Sequence, residues 1–427
     1  MGRLVILGLD GLSTRAWQDL VGQGVMPHSE ELFYRGNLFS MRSSIPEVSS
    51  VAWTSIVTGQ NPGGHNVYGF TDLLDGSYTL GFTSSRTVKA RAFWRQDDGL
   101  RNLVMNVPQT YPASPMNGVL VAGYVALDLA KAVQPPEVLP LLEACGYAVD
   151  AEMGLARESR DRFYGELVRV LRARAEALDR LWAREAWDRV MFVVTGGDRL
   201  NHHCFDDYEN ADSLHHSAYL DFWREADAVI GRVAGRLTRE DALVILSDHG
   251  FERQRRIVNV NRVLSEHGYL RLEEGERPAY GSMRPETRAF AMDPGRIYFH
   301  RQGRYPRGSV GEGEAAALEA ELVRLFLDLE AEGSAVARQV LRGREIYRGP
   351  YARRAPDLVL VPEAGVGLSA RLDEGEEDEP PLAGKHTPDD AVFFYLGPRG
   401  IEVPQNLAVE DVLEVLVNAG ALSSLPG

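Results

Sequence analysis

The stretch "ALVILSDHGF", residues 242–251, carries five apolar residues into a core and then sets Asp248 and His249 side by side at the strand's exit. A carboxylate and an imidazole there can ligate a metal ion, and ligands of open parallel sheets collect outside the carboxyl ends of the strands. Four other segments offer oxygen or imidazole donors: Asp10 closing "RLVILGLDG", Ser49 in "SSIPEVSSVAWTSIVTG", Asp198 and His202 in "TGGDRLNH", and His386 in "GKH". Asp198 and His202 are four residues apart, so a helix starting after the strand puts both on one face, within reach of one ion. Asp248 and His249 both reach an ion if the backbone turns, as the following Gly250 permits. Carboxylate and imidazole donors suit zinc, with manganese as the alternative, better than calcium.

Each donor alone has a plainer reading. Asp10 and Ser49 could be helix caps, Asp248 and His249 a polar turn, and His386 a surface residue. His203 competes with His202, which the helical spacing favours, and Ser50 competes with Ser49. His65, His215 and His216 stay outside the ligand set, while Trp53 and Tyr68 read as core.

Such donors need a scaffold that gathers distant segments at one edge. "RLVILGLDG", "RVMFVVTGGD" and "ALVILSDHGF" read as buried strands ending in acids, with helices over "STRAWQDLVGQG" and "HHSAYLDFWREADAVIGRVAGRL". This order predicts an α/β fold, a mostly parallel central sheet flanked by helices, with inserted cap segments. A further helix is expected from near Ser50, which places Ser49 at its mouth, and a long amphipathic one over "ESRDRFYGELVRVLRARAEALDRLWARE". Residues 1–255 and 355–427 are assigned to the catalytic core and 256–354 to an inserted cap, with the turn-rich 71–155 stretch as an addition to that cap. "DLVLVP" is read as the chain's return to the core, and the acidic run "DEGEEDEPP" as a solvated loop.

The chain of 427 residues is 44% hydrophobic and 25% charged, as in ordinary globular proteins. Its net charge of −15 argues against a stable nucleic-acid complex, since such affinity comes largely from counterions released at basic surfaces. Small anions stay admissible, because a local ion can override the average field. Cys145 and Cys204 form neither a disulfide framework nor a thiolate site. The N-terminus lacks a secretory pattern and no apolar run approaches the ~20 residues of a bilayer span, so a cytoplasmic protein without a membrane partner is expected.

The set "LGLDG", "SSVAWTSIVTGQNPGGHNVYGF", "DRLNH", "LSDHGF" and "GKH", in this order, resembles the alkaline phosphatase superfamily, in its type I phosphodiesterase and nucleotide pyrophosphatase branch. "NVPQTYPASPMNG" and "VNVNRVLSEHGYLRL" extend the resemblance over most of the chain. It implies two divalent metal ions, one on Asp198, His202 and His386, the other on Asp10, Asp248 and His249, with the Ser49 oxygen on the second. Ser49 stands ten residues before Gly59, where the family carries its Thr or Ser nucleophile. The resemblance implies a metal-dependent phosphodiesterase or nucleotide pyrophosphatase working through a phosphoseryl intermediate on a small phosphate ester or nucleotide. Metal coordination makes a serine hydroxyl nucleophilic at neutral pH. Where pyrophosphatase members often carry Asn three residues after the nucleophile, this chain has Ala52, which leaves monoester against diester preference open. Alternatives are a phosphomonoesterase, a phosphoglycerate mutase-like enzyme, or a catalytically silent binding protein of the same fold. A sulfatase is disfavoured, because the Cys or Ser followed by x-Pro-x-Arg is missing around Ser49.

Overall fold

The computed structural model describes all residues except 1, 97–98, 274–277, 374–381 and 427. Its contacts divide into two units, one of residues 1–60, 84–251 and 386–427, the other of residues 61–83 and 252–385. Most of the acidic run lies outside the described residues.

The first unit is built on an eight-stranded sheet: β1 (Leu4–Leu9), β2 (Asn37–Met41), β3 (Asn102–Met105), β4 (Gly118–Val121), β5 (Val133–Gln134), β6 (Arg189–Val194), β7 (Ala242–Leu246) and β8 (Ala391–Leu396). Their order is β2-β8-β7-β1-β6-β3-β4-β5. The central five, from β7 to β4, are mutually parallel, and β8 and β5 run antiparallel to their inner neighbours. The architecture is therefore the expected α/β one, a mostly parallel central sheet flanked by helices. β3 and β4 lie within the stretch read as an addition to the cap, yet they are strands of the central sheet. Their short apolar runs, separated by Pro and Gly, gave no helical period that would have tied them to β6.

Both sheet faces are buried, which is why these strands read as continuous apolar runs. Val5, Leu7 and Leu9 of β1 join one core with Phe192, Ile245, Trp17, Phe222 and Trp223. Leu4 and Ile6 join the opposite core with Met191, Val193, Val244, Trp53 and Ile56. The first face is covered by α1 (Thr14–Gly22), α3 (Arg160–Trp182) and α5 (His216–Ala234), and the second by α2 (Ser49–Thr58). Burying each large apolar side chain is worth about 1.5–3 kcal/mol, so the two cores fix the sheet on which the strand exits depend.

α2 is the element that the site depends on most. All ten of its residues are buried, and it ends at Gly59, whose φ of 63° is the left-handed conformation that stops helices. It lies close on the sheet because β1 carries Gly8; a Cβ there would stand 2.4 Å from the Trp53 ring.

The second unit has its own antiparallel sheet of Ala289–Met292, Arg296–Phe299, Leu358–Pro362 and Ala337–Arg342. Helix Glu312–Asp328 packs Leu318, Leu322 and Phe326 into a core with Phe290, Phe299 and Leu360. The strand in "DLVLVP", read as the return to the core, pairs in this sheet instead. A fully buried strand looks the same in sequence whichever sheet receives it.

Candidate metal centre

β1, β6 and β7 end at the same edge, and there the sequence changes from apolar to ligating. Asp10 follows β1, and Gly11 turns the chain at a φ of 73°, donating its N–H to Asp248 Oδ1 at 3.3 Å. A side chain at position 11 would also meet Phe251 at 2.8 Å and the Asp198 backbone at 3.1 Å. After β6 the chain enters α4 (Gly196–Glu209) directly, so Asp198 lies in its first turn and His202 one turn later on the same face. Asp248 and His249 follow β7. Gly250 keeps a strand conformation rather than making the turn expected of it; its lack of a side chain serves close approach, since a Cβ would lie 2.5 Å from Thr387 Oγ1. His386 stands in the strand Gly384–Thr387.

Seven sequence-designated residues meet here. His386 Nε2 is 2.9 Å from both Asp198 Oδ1 and His202 Nε2, and His202 Nε2 is 3.4 Å from Asp198 Oδ1. His249 Nε2 lies 3.1 Å from Asp248 Oδ2, 3.8 Å from Asp10 Oδ1 and 3.9 Å from Asp198 Oδ1. Ser49 Oγ, at the first position of α2, is 3.4 Å from Asp10 Oδ1 and 3.3 Å from His249 Nε2. Among the described residues, two groups have the spacing to hold an ion: Asp198, His202 and His386, and Asp10, Asp198 and His249. The second contains Asp198 where the sequence reading had Asp248, so one carboxylate stands in both groups.

The donor chemistry fits divalent cations. His386 Nδ1 is 2.7 Å from the Glu47 carbonyl and His249 Nδ1 is 3.2 Å from that of Gly250. A carbonyl can only accept, so each Nδ1 carries a proton, which leaves each Nε2 as the atom that would ligate an ion, the arrangement of metal-ligating histidines. Tetrahedral ligands about 2.0–2.1 Å from zinc stand about 3.3 Å from one another, close to the edges seen here. Asp10 is further fixed by the Trp53 indole, which donates to Oδ2 at 2.9 Å.

The electrostatics of the metal-free cluster show what a cation would relieve. Burial, then the Asp248 and Asp198 charges, push Asp10 well above the usual carboxylate range. Burial acts the same way on Asp198, but His202 and His386 outweigh it and hold that carboxyl well below the usual range. Burial disfavours the charged form of His249, yet Asp248, followed by Asp10 and Asp198, raises it to about 10. Burial and the His249 charge lower His386 to about 4.

A linkage prediction follows from His249. Its folded pKa lies above the ordinary 6.5, so in the metal-free protein its stabilising contribution is complete below pH 6.5 and is lost as pH rises through about 10. An ion must displace that proton, so metal affinity is expected to rise up to about tenfold per pH unit between pH 7 and 9. Calorimetric titration of zinc in two buffers of different ionisation enthalpy should register at least one proton released; no release at pH 7 would contradict the assignment.

None of the residues set aside joins the two ligand groups. His203 packs edge-on against Phe163 at 5.5 Å. His216 Nδ1 contacts the Asp207 carbonyl, and His215 lies 3.1 Å from Asp161. Trp53 is a core residue, and in the second unit Tyr68 and His65 are buried. Ser50 Oγ is buried and contacts none of the cluster atoms, which separates it from Ser49. Sequence reasoning missed the Trp53 bond to Asp10, the double placement of Asp198, and Arg199 beside it.

Fold and cluster together are those of an alkaline phosphatase-like phosphoester hydrolase with a candidate metal site. The family model described as type I phosphodiesterase / nucleotide pyrophosphatase matches residues 4–389, and the chain belongs to that family. Among solved structures, phosphonoacetate hydrolase from Sinorhizobium meliloti 1021, in complex with phosphonoformate, is similar at a TM-score of 0.66 and 16% identity, with 98% of this chain and 96% of that one covered. Murine ectonucleotide pyrophosphatase / phosphodiesterase 5 is similar at a TM-score of 0.55 and 14% identity, covering 99% and 96%. Its inactive threonine-to-alanine form in complex with AMP gives 0.56 and 13%, covering 100% and 96%. None of the curated proteins compared with the sequence matches it. Among the described residues no helix is long and apolar enough to cross a membrane.

Proposed function

We propose that this protein is a two-metal phosphodiesterase or nucleotide pyrophosphatase that hydrolyses small phosphate esters through a phosphoserine at Ser49. The observation that carries this reading is the position of Ser49 Oγ at the mouth of α2, 3.4 Å from Asp10 Oδ1 and 3.3 Å from His249 Nε2. Zinc or manganese, when bound, supplies the positive charge that makes the hydroxyl nucleophilic and offsets charge on the transferring phosphoryl group. Asp198, His202 and His386 would hold one ion; Asp10, Asp248 and His249 would hold the other, with Asp198 placed to touch both.

The chain's own part is placement. α2 is locked by burial, so Ser49 has a fixed direction of approach and spends little freedom on reaching phosphorus. Its oxygen forms the bond to phosphorus as the bond to the leaving oxygen breaks, and the proton that Ser49 gives up ends on the leaving oxygen. Water then cleaves the phosphoserine and returns the proton to Ser49. The first turn of α2 faces this group with N–H dipoles that favour an anion. The phosphonoacetate and AMP found with the structural relatives support a small phosphorus-bearing substrate.

Metal-replete protein should hydrolyse bis(p-nitrophenyl) phosphate faster than p-nitrophenyl phosphate, p-nitrophenyl sulfate or phosphonoacetate, and a chelator should abolish turnover. Preference for the monoester would replace the diesterase reading by a phosphomonoesterase one. No turnover of any of these by protein holding two ions would defeat the enzyme reading.

A further inference from the structure

We infer that Arg199 is a positioning residue for the metal centre, holding Asp198 so that one oxygen alone faces the ions. The inference rests on the two-metal reading above. Asp198 divides its oxygens: Oδ1 faces His386 and His202, while Oδ2 accepts from Arg199 Nη1 at 2.9 Å. With Oδ2 occupied by a guanidinium, an ion at the cluster meets Asp198 through Oδ1 only.

Arg199 is itself tied down. Its Nη2 and Nε donate to Asp150 Oδ2 at 2.9 and 3.2 Å, and its guanidinium carbon lies 4.3 Å from the centre of the Tyr124 ring. Each anchor has its own support. Arg174 of α3 donates to the carbonyls of Ala148 and Val149 and so fixes the loop carrying Asp150. The Gln109 N–H donates to the Tyr124 carbonyl at 2.9 Å. A planar fork can bridge two carboxylates and stack on a ring at once; a lysine ammonium cannot. Asp150 also balances the guanidinium, so the clamp adds no net charge beside the ions. Ligand-orienting partners of this kind change metal affinity by about 10–100-fold when removed.

The test uses zinc titrations against a chromophoric chelator on the full chain, for Arg199→Met, Arg199→Lys and Asp150→Asn, with the melting temperature of each metal-free variant as a folding control. Arg199→Met is expected to keep a stoichiometry of two while at least one dissociation constant rises about 10–100-fold. Arg199→Lys should restore less than a third of that loss, and Asp150→Asn, which leaves the guanidinium in place, should weaken binding about 3–10-fold. Should Arg199→Met fail to fold, Asp150→Asn carries the comparison. Two dissociation constants within threefold of wild type in both Arg199→Met and Asp150→Asn, or full rescue by lysine, would overturn the clamp. Wild-type protein that binds no zinc would defeat the two-metal reading itself, a different result from a normal wild type with unaffected variants.

Discussion

Ser49→Ala is expected to lower kcat/KM on a phosphate diester by at least about 10³-fold while the protein keeps two ions per chain. The size follows from the role: losing a nucleophile removes the covalent route, and what survives is water attacking in a site that still binds the ester. A tenfold change in rate is about 1.4 kcal/mol, so the loss corresponds to about 4 kcal/mol or more of transition-state stabilisation. The fold should be unaffected, because α2 is held by Trp53, Ile56 and Val57 in the core rather than by the Ser49 hydroxyl. Ser50→Ala is the control. Its hydroxyl is buried one residue further into the helix and touches no cluster atom, so turnover should stay within about threefold of wild type. Steady-state kinetics with metal analysis on both variants checks this; equal losses in the two would remove the assignment of Ser49 as nucleophile.

Much of this arrangement was legible in the sequence because strand period and chemistry coincide there. β1, β6 and β7 are apolar runs that each end within a few residues of an acid, and parallel strands must release those acids at one edge. The Asp198 and His202 pair needed only a helix starting after β6, which α4 supplies. His386 was a different matter: nothing in its own short strand marks it, and its place depends on contacts such as its bond to the Glu47 carbonyl, formed across 339 residues. For the same reason the pairing of "DLVLVP" and the sheet position of β3 and β4 escaped the reading. Hydrophobic period tells which faces are buried, not which neighbour buries them. Arg199 shows a related limit, since "DRL" reads as an ordinary helix start until Asp150 and Tyr124 are seen against its guanidinium.

Asp198 is where the two halves of the centre meet, and its replacement should separate them from a one-ion defect. Its Oδ1 lies 2.9 Å from His386 Nε2, 3.4 Å from His202 Nε2 and 3.9 Å from His249 Nε2, and it belongs to both groups spaced to hold an ion. His202 belongs to one group only. Protein stripped with chelator and reloaded with zinc should therefore hold about one ion in His202→Ala and fewer than one in Asp198→Asn, against two in wild type. Asn keeps the volume of Asp, so packing is preserved and the change is one of charge: a neutral amide oxygen replaces an anionic one in both groups spaced to hold an ion. The same change leaves Arg199 beside a neutral group and still paired with Asp150, so the guanidinium stays charge-balanced. Activity should fall more in Asp198→Asn than in His202→Ala, and excess zinc should recover more of it in the histidine variant. If metal analysis found one ion left in both, Asp198 would serve a single ion, and Asp248 would be the carboxylate that completes the other.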